Sequence, residues 1–121
     1  RRRKLARRYF DCFDPGLGCG LPLADFDNSN WHMFQVVLPE RVNRGEFIAK
    51  MREADIGIGV HYPAIHLFSL YRALGFRDGR FPHAERIGRS IVTLPLFPAM
   101  ADTDVERVCD AASKIVREDL S

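Results

Sequence analysis

The chain has 121 residues, which is enough for one domain with a real hydrophobic core. Hydrophobic residues make up 46% and charged residues 28%, and a formal net charge of +2 excludes a uniformly basic surface made for nucleic acid or membrane lipid. Three cysteines without a CxxC pair argue against a disulfide framework and favour a cytoplasmic location, and the longest apolar runs are too short to span a bilayer.

The first predicted element is a basic helix. Its apolar residues recur at helical spacing and are expected to share one face: Leu5, Ala6, Tyr9, Phe10 and Phe13. Five of the first eight residues are arginine, and no capping side chain precedes them, so the helix dipole disfavours a start at Arg1. We therefore expect the helix to continue upstream and the chain to be a fragment of a longer protein.

Three segments have the composition of strands. Residues 14–30 read as a connecting loop rich in turn residues, and 31–39 then form an apolar run that Pro39 closes. Residues 56–62 alternate, with glycines on one face, which would let another group approach the backbone closely. Residues 90–95 predict the third strand.

Four further helices follow from caps and apolar spacing. Asn43 and Glu46 form a predicted capping box, with Glu46 and Lys50 paired on the surface. Residues 66–75 predict a core-facing stripe through Leu67, Leu70, Tyr71 and Leu74, and Pro82 opens a short helix that ends at Ile87. In the last helix, a capping box is predicted at Thr103 and Glu106, with an apolar stripe of Val105, Val108, Cys109, Ala112, Ile115 and Val116.

This order of elements predicts an α+β fold: a small sheet of about three strands with helices packed mainly on one face. The alternative is a βαβ core with parallel strands, because a helix connects the first two predicted strands.

His61, Tyr62 and His66 are the candidate site residues, since they cluster where a predicted strand meets a loop. Imidazole and phenol groups hydrogen-bond polar ligands, and histidine also moves protons near neutral pH. The alternative is that both histidines satisfy local backbone groups while Tyr62 packs in the core. A metal site is disfavoured, because no histidines and cysteines have the close spacing of zinc ligands.

Several segments, taken in order, resemble the DegT/DnrJ/StrS-type nucleotide-sugar aminotransferases. The resemblance extends from residue 1 to about 117, leaves the loop 14–29 unmatched, and is carried by RRRKLARRY, NWHMFQVVLPE, ADIGIGVHYPAIHL, PHAE, TLPLFPAM and DTDVERV.

The resemblance implies the small carboxy-terminal domain of a fold-type-I enzyme that depends on pyridoxal phosphate (PLP). Residues 1–13 would end the interdomain helix, 14–30 would be the connecting loop, and 31–121 the small domain. The enzyme would move an amino group from glutamate to a keto-sugar nucleotide, with a UDP-linked 4-keto sugar as the specific candidate. The large domain upstream would hold PLP on a lysine, and the active site would lie near a homodimer interface.

The resemblance also assigns roles within this chain. The HYPxxH segment implies His66 first, then His61 and Tyr62, as substrate-binding residues. None of Lys4, Lys50 and Lys114 matches the context of the cofactor lysine, so the chain alone is expected to be inactive and not to bind PLP productively.

Two other functions remain open. One is a stand-alone α+β binding module without catalysis, and an exposed apolar patch along Leu5, Tyr9 and Phe13 would argue against it. The other is nucleic-acid binding by the helix of Arg1 to Arg8, which salt-sensitive binding to random DNA would support. We expect neither nucleic acid nor membrane as a partner.

Overall fold

The computed structural model describes residues 1–118. These residues form helices and a small β-sheet, which confirms the predicted α+β class. The described elements are α1 (Arg2–Cys12), β1 (Phe34–Val37), α2 (Arg44–Glu53), α3 (Ser69–Ala73), α4 (Pro82–Ser90), β2 (Ile91–Leu94) and α5 (Asp102–Glu118), with 3-10 turns at Pro15–Leu17 and Ile65–Leu67. Within this part of the chain, no helix combines the length and apolar character that crossing a membrane requires.

The two strands pair antiparallel, with Phe34 opposite Leu94 and Val37 opposite Ile91. The alternative of a parallel βαβ core is therefore wrong. Side chains alternate across the sheet, so Phe34 and Leu94 are buried on one face while their neighbours point to the other. The sheet thus has a core face and a second, half-buried face.

The third strand predicted at 56–62 is not formed. Gly59 pairs with Thr93 through two backbone hydrogen bonds of 3.1 and 2.8 Å. Among the described residues, this bridge is the only backbone pairing between segment 56–62 and the sheet. The apparent alternation came from glycines, which offer no side chain to pack against a neighbouring strand. The segment enters from a turn at Asp55, where φ is 60°, and leaves with Tyr62 exposed.

The core lies between the buried face of the sheet and helices α1, α2 and α5. Leu5, Tyr9 and Phe13 are buried there, and the Tyr9 hydroxyl donates to the Pro95 carbonyl at 2.6 Å. The described residues therefore do not show the exposed patch that would have argued against a stand-alone module, because the apolar stripe of α5 and the sheet cover these three side chains. The division into 1–13, 14–30 and 31–121 remains a prediction, and residues 119–121 of the last unit lie outside the described residues.

The helix caps were predicted with mixed success. Asn43 caps α2 as expected, since its Oδ1 accepts from the Glu46 N–H at 3.0 Å. Lys50, expected to pair with Glu46, lies 3.8 Å from Glu118 instead.

The capping box at Thr103 and Glu106 is wrong. Helix α5 begins at Asp102, so Thr103 lies inside its first turn, and the Asp104 carboxylate accepts from the Ala101 N–H at 2.8 Å. Glu106 contacts Arg8 of α1 instead. The predicted apolar stripe of α5 is confirmed, since all six of its residues are buried.

The core-facing helix predicted at 66–75 is also wrong. A 3-10 turn at Ile65–Leu67 precedes the short helix α3, in which no residue is buried. Leu70 and Leu74 are 65% and 68% exposed. The apolar spacing is present, but α3 packs mainly on the turn before it and not on the core. Helix α4 begins at Pro82 as predicted and continues past Ile87 to Ser90.

Candidate functional site

The candidate site lies on the second face of the sheet, away from the main core. Segment 59–67 crosses this face, helix α4 borders it, and together they enclose an open cavity of about 550 Å³. His61, Tyr62 and His66 all line this cavity. The rest of its wall is mainly apolar and includes Ile65, Tyr71, Phe76, Phe81, Ile87 and Ile91.

A glycine on α4 permits the close approach that forms one wall. A Cβ on Gly88 would stand 2.6 Å from the Ala64 nitrogen and 3.2 Å from the Pro63 carbonyl carbon. The half-buried Arg44 holds this end of α4, because its guanidinium donates to the carbonyls of Gly88 and Ile91. Burial lowers the pKa of Arg44, because it disfavours the charged guanidinium. The two carbonyl oxygens compensate by accepting its N–H groups.

His61 is held to the sheet at two points. Its Nδ1 lies 2.8 Å from the Thr93 hydroxyl oxygen, and its carbonyl accepts from the Gln35 side-chain amide. The peptide bond between His61 and Tyr62 is cis, and the two rings meet edge to face at 5.0 Å. Tyr62 is 63% exposed at the mouth of the cavity. The Nε2 of His61 and the hydroxyl of Tyr62 are thus placed to contact a polar ligand.

His66 sits deeper than the other two. Only 7% of the residue is exposed, its ring meets Phe81 edge to face at 5.0 Å, and its Nε2 lies 3.4 Å from Glu85 Oε2. The Glu85 carboxylate accepts from the backbone N–H groups of Gly79 at 2.7 Å and Phe81 at 3.2 Å. The pKa of Glu85 is lowered, mainly by the hydrogen bond from the Gly79 N–H. Burial acts to raise this pKa, whereas the contacts with Phe81 and His66 lower it further.

The structure therefore brings all three predicted residues to one cavity, and it adds residues that the sequence analysis did not select. Thr93 and Gln35 fix His61, and Glu85 faces His66. Glu85 is the last residue of the segment PHAE, which contributed to the family resemblance but was not predicted to hold a site residue. Its position four residues after Phe81, at the start of a helix opened by Pro82, was the available signal.

The basic residues at the start of the chain border a different hollow, of about 720 Å³. Several of these cations connect α1 to the rest of the fold: Arg1 lies 3.6 Å from Asp102, and Arg2 donates to the Leu96 carbonyl at 2.8 Å. Arg7 stacks over Phe26 at 4.0 Å. These contacts give the basic run a structural role in the fold.

The described residues place no lysine and no cluster of metal-binding side chains at the cavity. Lys4 and Lys114 are exposed on α1 and α5, and Lys50 lies near Glu118. In residues 1–118, no three His, Cys, Asp or Glu side chains gather closely enough to hold a metal ion. The cavity wall accordingly lacks a lysine for a Schiff base.

One family model matches nearly the whole chain. The model of the DegT/DnrJ/EryC1/StrS aminotransferase family matches residues 1–113. The spore coat polysaccharide biosynthesis protein SpsC of Bacillus subtilis is 32% identical over 123 residues, covering 97% of this chain and 32% of SpsC.

Solved structures are similar over the same extent. DesV from S. venezuelae, in complex with a ketimine intermediate, is 31% identical with a TM-score of 0.83, covering 96% of this chain and 31% of DesV. Spr1654 from Streptococcus pneumoniae, in its PLP form, shares the fold with a TM-score of 0.88 at 24% identity, covering 99% of this chain and 32% of Spr1654. The chain thus spans about a third of the length of the relatives it matches.

Proposed function

Because the chain belongs to the DegT/DnrJ/EryC1/StrS aminotransferase family, we propose that it is the small carboxy-terminal domain of a PLP-dependent sugar aminotransferase. The enzyme would move an amino group from glutamate to a keto-sugar nucleotide, with a UDP-linked 4-keto sugar as the candidate acceptor. It would work in the cytoplasm, in keeping with the three free cysteines.

The observation that carries this proposal is the cavity on the second face of the sheet. Its apolar wall and few convergent polar groups are the usual make-up of a small-molecule site. His66, His61 and Tyr62 would bind the substrate. Nδ1 of His61 is engaged by Thr93, so Nε2 is the nitrogen that meets substrate, and the exposed Tyr62 hydroxyl adds a second polar contact.

Binding and orientation are the contributions we assign to this chain. The apolar side chains would exclude water from the bound sugar, and the polar groups would fix its hydroxyl and carbonyl oxygens. When bound, PLP supplies the group that carries the amino nitrogen between the two substrates. The residues of this chain do not fit a PLP site, because no lysine lines the cavity, so the cofactor would be held by the large domain.

Exposed apolar side chains around the cavity support a partner at this face. Ile65, Phe68, Leu70, Leu74 and Phe81 are each at least 43% exposed. A patch of this kind is typical of a surface that another protein part covers. We assign the large domain of the enzyme and a second subunit of a homodimer as the parts that cover it.

A reduction experiment tests the proposal. The polypeptide that carries this chain is purified from its source, and its intact mass is measured before and after borohydride treatment. We expect a pyridoxyl group on the whole polypeptide and none on the 121-residue chain expressed alone. A stoichiometric lysine adduct on the chain alone would refute the assignment of PLP to the large domain.

Substrate assays then test the reaction. With glutamate as donor, a series of UDP-linked keto sugars is offered to the PLP-loaded enzyme, and amination is followed by mass spectrometry. His61→Ala is expected to raise KM for the accepted sugar. His83→Ala, a change of an exposed histidine on α4, is the matched control.

A stand-alone binding module remains the second candidate, because α1 is fully packed within the described residues. Leu5 and Tyr9 have no exposed surface, so the chain buries its own first helix. A source polypeptide of about 13.8 kDa without an adduct would favour this candidate.

A further inference from the structure

Glu85 stands behind His66 as seen from the cavity. His66 lines the cavity wall, whereas Glu85 does not, and their side chains are only 8% and 6% exposed. The 3.4 Å separation of His66 Nε2 and Glu85 Oε2 is within the range of an ion pair. A ligand in the cavity would therefore meet Glu85 only through the imidazole of His66.

The Glu85 carboxylate is fixed in place by the backbone. Each of its two oxygens accepts an N–H group, from Gly79 and from Phe81 respectively. These hydrogen bonds favour the ionised carboxylate. The carboxylate of Glu85, a residue of α4, is thus held against the turn that precedes this helix.

The imidazole of His66 is incompletely satisfied. Its Nε2 is buried and makes no well-aligned hydrogen bond within the described residues, although the carboxylate is near. A small rotation of the ring would close this contact, and hydrogen bonds at active sites often tighten only when a ligand binds. Because Nε2 faces Glu85, Nδ1 is the nitrogen left for the ligand.

We propose that Glu85 is a positioning residue for His66: its carboxylate holds the Nε2–H edge of the ring, so that Nδ1 contacts a substrate oxygen. The identity of the ligand as a keto-sugar nucleotide rests on the proposed function, but the pairing itself does not. A carboxylate that fixes the tautomer of a functional histidine is an arrangement known from metal and catalytic sites.

The test uses NMR on the 121-residue chain, without cofactor or substrate. Ring nitrogen shifts of His66 are recorded against pH in the parent chain, in Glu85→Gln and in Glu85→Asp. We expect the Nε2–H tautomer of neutral His66 in the parent chain, and a larger share of the Nδ1–H tautomer in Glu85→Gln, because an amide can present either a donor or an acceptor to Nε2. Glu85→Asp keeps the carboxylate and should keep more of the Nε2–H tautomer than Glu85→Gln does.

Other groups near the ring set the controls. His61, Tyr62 and Tyr71 also line the cavity and can titrate, so the same spectra follow His61 as an internal reference. Glu53→Gln, a change of an exposed acid on α2, should leave the His66 tautomer ratio unchanged.

Two results would overturn the proposal: a neutral His66 that carries its proton on Nδ1 in the parent chain, or a tautomer ratio of His66 that is the same in Glu85→Gln as in the parent. The tautomer measurement needs no variant, so it decides the matter even if Glu85→Gln does not fold. The NMR measurements use neither cofactor nor substrate, so their outcome does not depend on the aminotransferase assay. A failed assay would count against the proposed function and not against the pairing of Glu85 with His66.

Discussion

Gly88 and Ala64 are in contact across the wall of the cavity, where helix α4 crosses the segment that carries the site residues. A Cβ on Gly88 would lie 2.6 Å from the Ala64 nitrogen, closer than side chains approach a backbone atom. The atom it meets belongs to the main chain and has little room to move. The shape of the cavity therefore depends on the absence of one side chain.

Gly88→Ala is expected to lower the free energy of unfolding by about 1–3 kcal/mol, the usual cost of overpacking a tight contact. Chemical denaturation of the isolated chain measures the change. Gly57→Ala is the matched control, since a Cβ there meets nothing within 4 Å. Equal stability of Gly88→Ala and the parent would show that α4 moves freely against segment 63–64.

Tyr9→Phe removes the hydroxyl that donates to the Pro95 carbonyl in the buried core. We expect a loss of about 1–2 kcal/mol, because the carbonyl of the half-buried Pro95 is left without this partner. Denaturation again supplies the measurement. Tyr62→Phe, at a 63% exposed position, should change stability by less than about 0.5 kcal/mol. An equal effect of both changes would contradict the structure.

The ionisation of Glu85 predicts how stability depends on pH. The pKa of Glu85 in the folded chain lies below its ordinary value of 4.5, so the unfolded chain binds more protons in acid. The stability that Glu85 contributes is present above about pH 4.5 and is lost as pH falls through the lower, folded pKa. Glu85→Gln should therefore lose less stability on acidification than the parent.

Unfolding by denaturant at a series of pH values from 7 to 3 measures this difference. Asp14 and Asp25 also have lowered pKa values, chiefly through backbone hydrogen bonds from Gly16 and Asn28, so the variant keeps part of the acid sensitivity. Parallel curves for Glu85→Gln and the parent over this range would count against the assigned hydrogen bonds.

Thr93→Val removes the hydroxyl that contacts His61 Nδ1 and keeps the shape of the side chain. In the PLP-loaded enzyme, we expect KM for the keto-sugar nucleotide to rise by about 2- to 10-fold, the range that one lost hydrogen bond accounts for, with a smaller effect on kcat. Thr103→Val, on the exposed surface of α5, is the control. An unchanged KM would mean that the orientation of His61 does not matter for binding.

Leu70→Gln tests the exposed apolar face. In the isolated chain the change should alter stability by less than about 0.5 kcal/mol, since the side chain is 65% exposed. Leu94→Ala, at a buried position of β2, should cost about 2–5 kcal/mol. Comparable losses from the two changes would mean that α3 belongs to the core after all.

The sequence by itself determined the elements whose signals are local. The apolar stripe of α5, the Asn43 cap of α2 and Pro82 at the start of α4 each depend on neighbours within a few residues, and all three are present. The α+β class followed from their order. The resemblance that several segments carried in order also identified the family, which the comparisons confirm.

Only the tertiary structure decided which apolar residues are covered. Segment 56–62 had the alternation of a strand but forms a single bridge at Gly59, and α3 had an apolar stripe but meets no core. The same dependence governs the site: Thr93 is 32 residues from His61, and Glu85 is 19 residues from His66. Periodicity reports which side chains share a face, whereas the partner of that face is set by long-range packing that local spacing does not encode.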